Sequence, residues 1–341
     1  MTHRLGTTPL LLGLSCAALP LASVACSGTE SEDTASRQDT ASSQDTASSQ
    51  DTGTPSATRY RFSRSFGALG DGDGELDKPR GVAIEGDRIY VADTSNHRVQ
   101  WFSLDGTYGG QWGSAGTGDG EFDSPKGLAI STDGRVWVPD FENDRIQIFD
   151  AEGALLQIFG SAGTGDGEFD RPYEVAFDAE GRVFVSDYGN HRIQVFDADL
   201  AFLDAWGTLG TGDGEFERPS GLAFSPDGDL FVADTINDRV QVFSADGTFL
   251  FTFGTQGPNT GQMNDPHQIT FDGRGDLYVA EQFNDRIQKF TVDGDSLALI
   301  GGMAPGEDQL DYPFGVAVDD AGDVYVGDMN SNTVRVFTPE E

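Results

Sequence analysis

The stretch DGEFERPSGLAFSPDGDLFVADTINDRVQVFSADGTFLFTFG, residues 213–254, decides the fold because it is one copy of a unit that the chain repeats six times. Each copy begins with a proline shortly before an apolar pair such as Val-Ala or Leu-Ala. Self-similarity at a fixed period of this length indicates a closed or stacked array of small identical units. The landmark prolines, spaced 46 or 47 residues apart, are Pro79, Pro125, Pro172, Pro219, Pro266 and Pro313.

Each unit contains four short runs in which apolar and polar residues alternate. In the quoted copy they cover residues 221–224, 230–233, 239–243 and 249–253, and the turn sequences SPDG, DTIND and SADG separate them. Short period-2 runs rich in Val, Ile and Phe, interrupted by Asp-Gly and Asn, are typical of antiparallel strands. Four strands in a repeat of this length predict one blade of a β-propeller.

The spacing of the runs also predicts how the ring closes. A fourth strand ends in glycine 12 residues before the next proline, as from Gly113 to Pro125, but the sixth repeat stops after its third strand at Phe337. The missing strand stands at the other end, where residues 61–67, RFSRSFG, finish 12 residues before Pro79. We therefore predict an all-β, six-bladed propeller over residues 59–341, in which this strand pairs with residues 334–337 and removes the exposed sheet edges.

The first 58 residues differ in composition from the repeats. Residues 1–26 have a weakly basic start, an apolar stretch too short for a stable anchor and small residues at the end, which predicts an export signal. Residues 27–58 contain the polar repeat SQDTASSQDTASSQDTG and cannot bury enough apolar surface to fold. They predict a disordered tether with a root-mean-square reach of roughly 30 Å.

The end of the export signal, Ser23-Val24-Ala25-Cys26, resembles a bacterial lipobox, although Ser23 stands where that pattern usually has Leu. The resemblance implies that Cys26 is lipidated, with ordinary signal cleavage nearby as the alternative. We expect an exported protein, as an outer-membrane or cell-surface lipoprotein or in the periplasm. The formal net charge of −36 opposes binding to nucleic acid and to anionic lipid, so the membrane is expected to be reached only through the lipid. We expect a monomer.

The repeated motif, P-x-G-[VL]-A followed by [DN]-R-[IV]-Q-x-F, resembles the NHL repeat. It is seen in PKGLAISTDGRVWVPDFENDRIQIF at 125–149 and in PYEVAFDAEGRVFVSDYGNHRIQVF at 172–196. The resemblance covers all six units and implies the fold. It does not imply one activity, because NHL propellers include RNA-binding domains, an amidating lyase and sensor domains of bacterial kinases.

Polar residues that recur in nearly every unit are interpreted as architecture. A carboxylate ends the second strand, an Asn follows three residues later and an Arg two residues after that, as in Asp187, Asn190 and Arg192. These groups can saturate one another across a hairpin loop. The sixth unit has Ser331 and Thr333 instead of Asn and Arg, so its loop is expected to be looser. The GTGDGE runs lack the ligand pattern of a calcium loop and are interpreted as crossovers between blades.

Candidate site residues are the positions at which the units disagree. The start of the first strand and the loop between the second and third strands meet at one end of each blade, which we call the proline end. We predict there a mouth on the propeller axis that binds an anionic ligand. Its residues are Arg80, Lys126, Tyr173, Glu174, Ser220, His267, Gln268 and Phe314, with Phe141, Tyr188, Ile236, Phe283 and Met329 on the rim.

Two classes of function compete for this mouth. The first is a scaffold that binds a protein, a peptide or a carbohydrate. The second is an extracytoplasmic hydrolase or lyase, for which Glu174, Tyr173 and Arg80 are the candidate groups. Resemblance to the amidating lyase implies zinc held by histidines after the blade prolines, but only His267 occupies such a position. We therefore predict no metal, no cofactor and no catalytic residue.

Overall fold

The computed structural model describes residues 58–302, 306 and 308–340. The chain divides into two units, residues 1–53 and 54–341, and the described residues all belong to the second. The predicted signal, the lipidation of Cys26 and all of the tether except its last residue lie outside the described residues and stay predictions. None of the described helices is long and apolar enough to cross a membrane.

Six four-stranded antiparallel sheets form the blades of a propeller, as the sequence predicts. Blade 1 consists of Pro79–Glu85, Arg88–Asp93, Arg98–Ser103 and Tyr108–Trp112, and blade 2 of Ala129–Ile130, Val136–Asp140, Arg145–Phe149 and Leu155–Phe159. Blade 3 consists of Pro172–Phe177, Val183–Asp187, Arg192–Phe196 and Phe202–Trp206, and blade 4 of Pro219–Phe224, Leu230–Asp234, Arg239–Phe243 and Phe249–Phe253. Blade 5 consists of Pro266–Phe271, Leu277–Glu281, Arg286–Phe290 and Ser296–Gly301, and blade 6 of Pro313–Val318, Val324–Asp328, Thr333–Pro339 and Tyr60–Phe66.

Short elements complete the description of the chain. One-turn 3-10 helices occupy the loop after the second strand in four blades, at Thr94–Asn96, Phe141–Asn143, Thr235–Asn237 and Gln282–Asn284. A two-stranded parallel ladder, Ser161–Ala162 with Glu168–Phe169, lies within the crossover from blade 2 to blade 3. Isolated parallel bridges hold the equivalent crossovers together in the same way, for example Leu69 with Leu76.

The predicted closure is confirmed. The first strand of the chain, Tyr60–Phe66, pairs antiparallel with the last, Thr333–Pro339, so that Phe62 lies opposite Phe337 and Phe66 opposite Val334. Phe62 and Phe337 meet edge to face, with ring centroids 6.1 Å apart. Blade 6 is thereby built from both ends of the propeller sequence, and its outer edge receives the same covering strand as the other blades.

The hydrophobic core is divided among the six interfaces between neighbouring blades. A typical interface combines Tyr90 and Val99 of blade 1 with Leu128 and Val138 of blade 2, all fully or almost fully buried. The interface between blades 6 and 1 is of the same kind and includes Tyr325. Because each sheet buries both faces, its inner strands consist almost entirely of buried residues rather than of a buried and an exposed face.

The first strand of every blade lies next to the axis, and glycine allows neighbouring first strands to touch. The N–H of Gly81 donates to the carbonyl of Lys126 in the next blade at 2.8 Å, and a Cβ on Gly81 would lie 2.4 Å from that oxygen. The same close approach is found at Gly127, Gly221 and Gly315. Blades 3 and 5 have side chains at this position instead, which project towards the axis.

Candidate functional site

The recurring polar residues form a closed hydrogen-bond network at the proline end of each blade, as predicted. In blade 3 the buried Asp187 carboxylate accepts from Asn190 at 3.0 Å, from Arg192 at 2.7 Å and from the backbone N–H of Asp170 at 2.8 Å. A fourth donor, Gln194 at 3.0 Å, was not singled out from the sequence although the repeated R-[IV]-Q motif contains it. Its signal was the two-residue spacing, which places Arg and Gln on the same face of the third strand.

The network also fastens the crossover loop to the blade. Arg192 donates to the carbonyl oxygens of Gly165 at 2.7 Å and Glu168 at 3.0 Å. The Glu168 side chain turns back into its own loop and accepts the N–H of Gly165 at 2.9 Å. The GTGDGE glutamate thus stabilises the loop itself. Among the described residues no group of three or more His, Cys, Asp or Glu is arranged to hold a metal ion.

Blade 6 has a weaker version of this network. Thr333 replaces the arginine, and Arg335 occupies the glutamine position with its Nε 3.8 Å from the Asp328 carboxylate. One oxygen of the buried Asp328 carboxylate has no hydrogen-bond partner among the described residues. Burial raises the pKa of Asp328 to about 6, and a hydrogen bond from Ser331 opposes that rise only in part.

The axial positions from blades 3, 5 and 6 converge at the proline end in a stack of three parallel rings. The His267 ring lies 3.9 Å from that of Phe314 and 5.8 Å from that of Tyr173, with interplanar angles of 18° and 9°. All three side chains are at least 95% buried. Tyr173 and Phe314 pack with Phe141 and Met329 of the predicted rim in one apolar cluster. Residues that are far apart in the sequence therefore form a continuous aromatic platform across the axis.

Hydrogen bonds fix the protonation of this platform. His267 Nε2 donates to the side-chain oxygen of Gln282 at 2.8 Å, which leaves Nδ1 to accept the Tyr173 hydroxyl at 3.1 Å. Burial lowers the pKa of His267 to about 3, and the nearby charges of Arg80 and Lys126 lower it further. Burial also raises the pKa of Tyr173. At neutral pH the platform is uncharged, with a neutral imidazole and a protonated phenol.

The cations predicted at the mouth lie against the aromatic rings. The Arg80 guanidinium carbon is 4.4 Å from the Phe314 ring centroid, and the Lys126 Nζ is 4.7 Å from that of Phe141. Lys126 is 96% buried, whereas Arg80 is half-buried and its buried Nε has no hydrogen-bond partner among the described residues. Arg218, which was expected to point away from the axis, lies 5.7 Å from the Tyr188 ring. Arg80 is thus the predicted cation whose hydrogen-bonding capacity is least used.

The remaining predicted residues have different surroundings. Ser220 is fully buried and shares a 2.6 Å hydrogen bond with Thr235, so its hydroxyl is occupied within blade 4. Ile236 is half-buried, and Phe283 is 40% exposed and meets Tyr312 edge to face. The last two residues, Glu174 and Gln268, lie one residue further along the first strands than Tyr173 and His267, at the glycine position of the other blades, and both are buried.

Comparisons with known proteins agree with this architecture. The NHL repeat family matches five segments, which are residues 76–102, 122–149, 169–196, 216–243 and 310–337. Blade 5 is not among them, and it is the blade in which Glu281 replaces the aspartate and Met263 the crossover phenylalanine. Over 45 residues the chain is 49% identical to protein lin-41 of Caenorhabditis elegans, a stretch equal to 13% of this chain and 4% of that protein.

Solved structures share the fold at low sequence identity. Virginiamycin B lyase from Staphylococcus aureus is 16% identical with a TM-score of 0.58, over 82% of this chain and 88% of that one. A gluconolactonase from Xanthomonas campestris is 17% identical with a TM-score of 0.60, over 78% and 87% of the two chains. A Bacteroides thetaiotaomicron protein of unknown function is 18% identical with a TM-score of 0.62, over 83% and 76%. The chain is therefore a six-bladed β-propeller that carries NHL repeats.

Proposed function

We propose that this propeller is an exported binding module whose proline end recognises an anionic ligand, with Arg80 as the principal contact. The observation that supports it is the position of the Arg80 guanidinium, which stacks on Phe314 at the axis while its Nε has no described partner. A stacked guanidinium keeps its N–H groups in the ring plane, where they can bind a carboxylate or a phosphate in a bidentate manner.

The platform under Arg80 suits a ligand with a flat or apolar part. Tyr173, His267 and Phe314 are neutral and are held rigid by stacking and by the hydrogen bonds at His267. A preorganised aromatic surface binds sugars, peptides or rings without ordering flexible side chains first. Lys126 and Arg218, seated on neighbouring rings, add positive potential in a chain whose net charge is −36.

The experiment is a titration of the protein with anionic sugars, acidic peptides and phosphorylated metabolites. Arg80→Gln is expected to weaken binding of the ligand that the wild type selects by at least about tenfold, the effect of losing one charged contact. Arg135→Gln is the matched control, because it removes the same charge from an exposed residue that pairs only with its neighbour Asp133. Failure of the wild type to bind any of these anions, or equal binding by Arg80→Gln, would contradict the proposal.

An extracytoplasmic hydrolase or lyase is the alternative, and the fold is compatible with it because the structural neighbours include a lyase and a gluconolactonase. These likenesses lie below 20% identity and carry over the fold alone. With a pKa of about 3, His267 would be a poor general base at neutral pH, since an efficient base has a pKa near the working pH. The platform therefore supports binding better than proton transfer.

Anchoring through lipid at Cys26 is the second part of the proposal. It rests on the apolar leader, the lipobox-like ending and the polar stretch behind them, all of which are features of the sequence. Cys26→Ala is expected to move the protein from the membrane fraction to the soluble fraction, measured by fractionation of expressing bacteria. A wild-type protein that is already soluble would contradict it.

A further inference from the structure

The axis contains a cavity of about 410 Å³ on the far side of the aromatic platform. First strands of all six blades line it, from their middle residues to the ends furthest from the prolines, as at Val82–Glu85 of blade 1. Glu174 and Gln268 lie at its inner end, towards the aromatic stack. At about 30 Å³ for each non-hydrogen atom, the share of one molecule in liquid water, the cavity could hold a ligand of about a dozen such atoms.

The wall of this cavity is largely peptide backbone. In an antiparallel ladder, alternate residues direct their N–H and C=O groups away from the partner strand. Val82 does so towards the axis, because its N–H and C=O both bond to the Gln268 side chain. Ile84, two residues further along the same regular pairing, must then face the same way. Repetition in six blades gives the cavity a ring of backbone carbonyl oxygens that can accept hydrogen bonds.

The two side chains at the inner end differ in how well they are satisfied. The Gln268 oxygen accepts the N–H groups of Val82 at 3.2 Å and Val316 at 3.1 Å, and its nitrogen donates to the Val82 carbonyl at 3.2 Å. Glu174 is 97% buried, and Oε2 of its carboxyl has no partner among the described residues. A buried carboxyl oxygen without a donor lowers stability by about 1–3 kcal/mol, so a ligand that supplies the donor would be stabilised there.

We propose that the axial cavity binds a small ligand with a primary ammonium group, which pairs with Glu174 and donates its other hydrogens to the backbone carbonyl ring. An ammonium carries three donors and no acceptor, which matches one free carboxyl oxygen surrounded by carbonyls. The surface field of this acidic chain attracts cations towards the cavity. This site is separate from the proposed anion site, since Arg80 lies at the other end of the axis.

The test is calorimetric titration of the full chain with n-butylammonium and with 1,4-diaminobutane at constant ionic strength. Butan-1-ol, which has nearly the same shape and no charge, is the ligand control. We expect both amines to bind and the alcohol not to bind. Glu174→Gln should weaken amine binding at least tenfold, whereas Glu85→Gln, which removes a charge from the exposed outer end of the cavity, should change it less than twofold.

Several results would overturn the proposal. They are an absence of amine binding to the wild type, equal binding of butan-1-ol, and unchanged binding by Glu174→Gln. Calcium that binds and displaces the amines would identify a metal-ion site instead. If Glu174→Gln does not fold, the comparison of amine with alcohol on the wild type still decides. Arg80→Gln should leave amine binding intact, so that failure at one end of the axis is distinguishable from failure at the other.

Discussion

Two sets of polar side chains at the centre of this propeller differ in how completely their hydrogen bonds are used. The network below the proline end of blades 1–5 is closed: the Asp187 carboxylate, for example, accepts from Asn190, Arg192, Gln194 and a backbone N–H. The axial set is open, because Arg80 Nε and Glu174 Oε2 are buried without described partners. Closed networks specify a structure, whereas open buried groups reduce stability and are available to a ligand. The difference separates positions that repeat from positions that vary.

The largest effect is expected from removing the strand that closes the ring. Deleting residues 60–66 strips blade 6 of its outer strand, with the packed side chains of Tyr60, Phe62 and Phe66. Loss of three such aromatic contacts should lower the free energy of unfolding by more than about 5 kcal/mol and Tm by about 10 °C or more. Deleting residues 27–57 is the control and should change neither. Equal melting of both truncations would mean that closure contributes nothing.

The next effect concerns the closed network. Asp187→Ala leaves the buried Arg192, Asn190 and Gln194 without their acceptor, so we expect a loss of about 3–5 kcal/mol in unfolding free energy by chemical denaturation. Asp199→Ala, in the exposed turn of the same blade, should stay within about 0.5 kcal/mol of the wild type. A small effect at Asp187 would show that the repeated residues are not what stabilises the blades.

Blade 6 offers a pH-dependent version of the comparison. The pKa of Asp328 is raised to about 6 in the folded state, so this group keeps its proton on folding between roughly pH 4 and pH 6. Its contribution to stability is present below pH 4 and is lost as pH rises through 6. Relative to Asp328→Asn, the wild type should lose up to about 3 kcal/mol between pH 3.5 and 7.5. Parallel stability curves for the two proteins would show that Asp328 is not poorly solvated.

Strands, blade number and closure were predictable because turn residues and a constant 12-residue spacing record them locally. The Asp, Asn and Arg of the network were also recognisable, since each repeat supplies them at the same offsets. The burial of Lys126 and Ser220 was not, because it depends on which neighbouring side chains cover them. Nor was the cavity, since its wall is backbone and carries no pattern of residue types. The exchange of glycine for Glu174 and Gln268 was visible, but not the end of the axis they serve.

The central claim is that positions which vary between blades bind ligand and positions which repeat hold the fold. It is tested most directly by measuring, for Arg80→Gln and Arg192→Gln side by side, both unfolding free energy and affinity for the anionic ligand that the wild type selects. The two changes remove the same charge from the same end of the propeller. We predict that Arg80→Gln loses affinity at least tenfold with stability within about 0.5 kcal/mol of the wild type. Arg192→Gln should lose stability, by about 3 kcal/mol or more, and keep its affinity while folded. Equal loss of affinity in both variants, or a loss confined to Arg192→Gln, would contradict the claim.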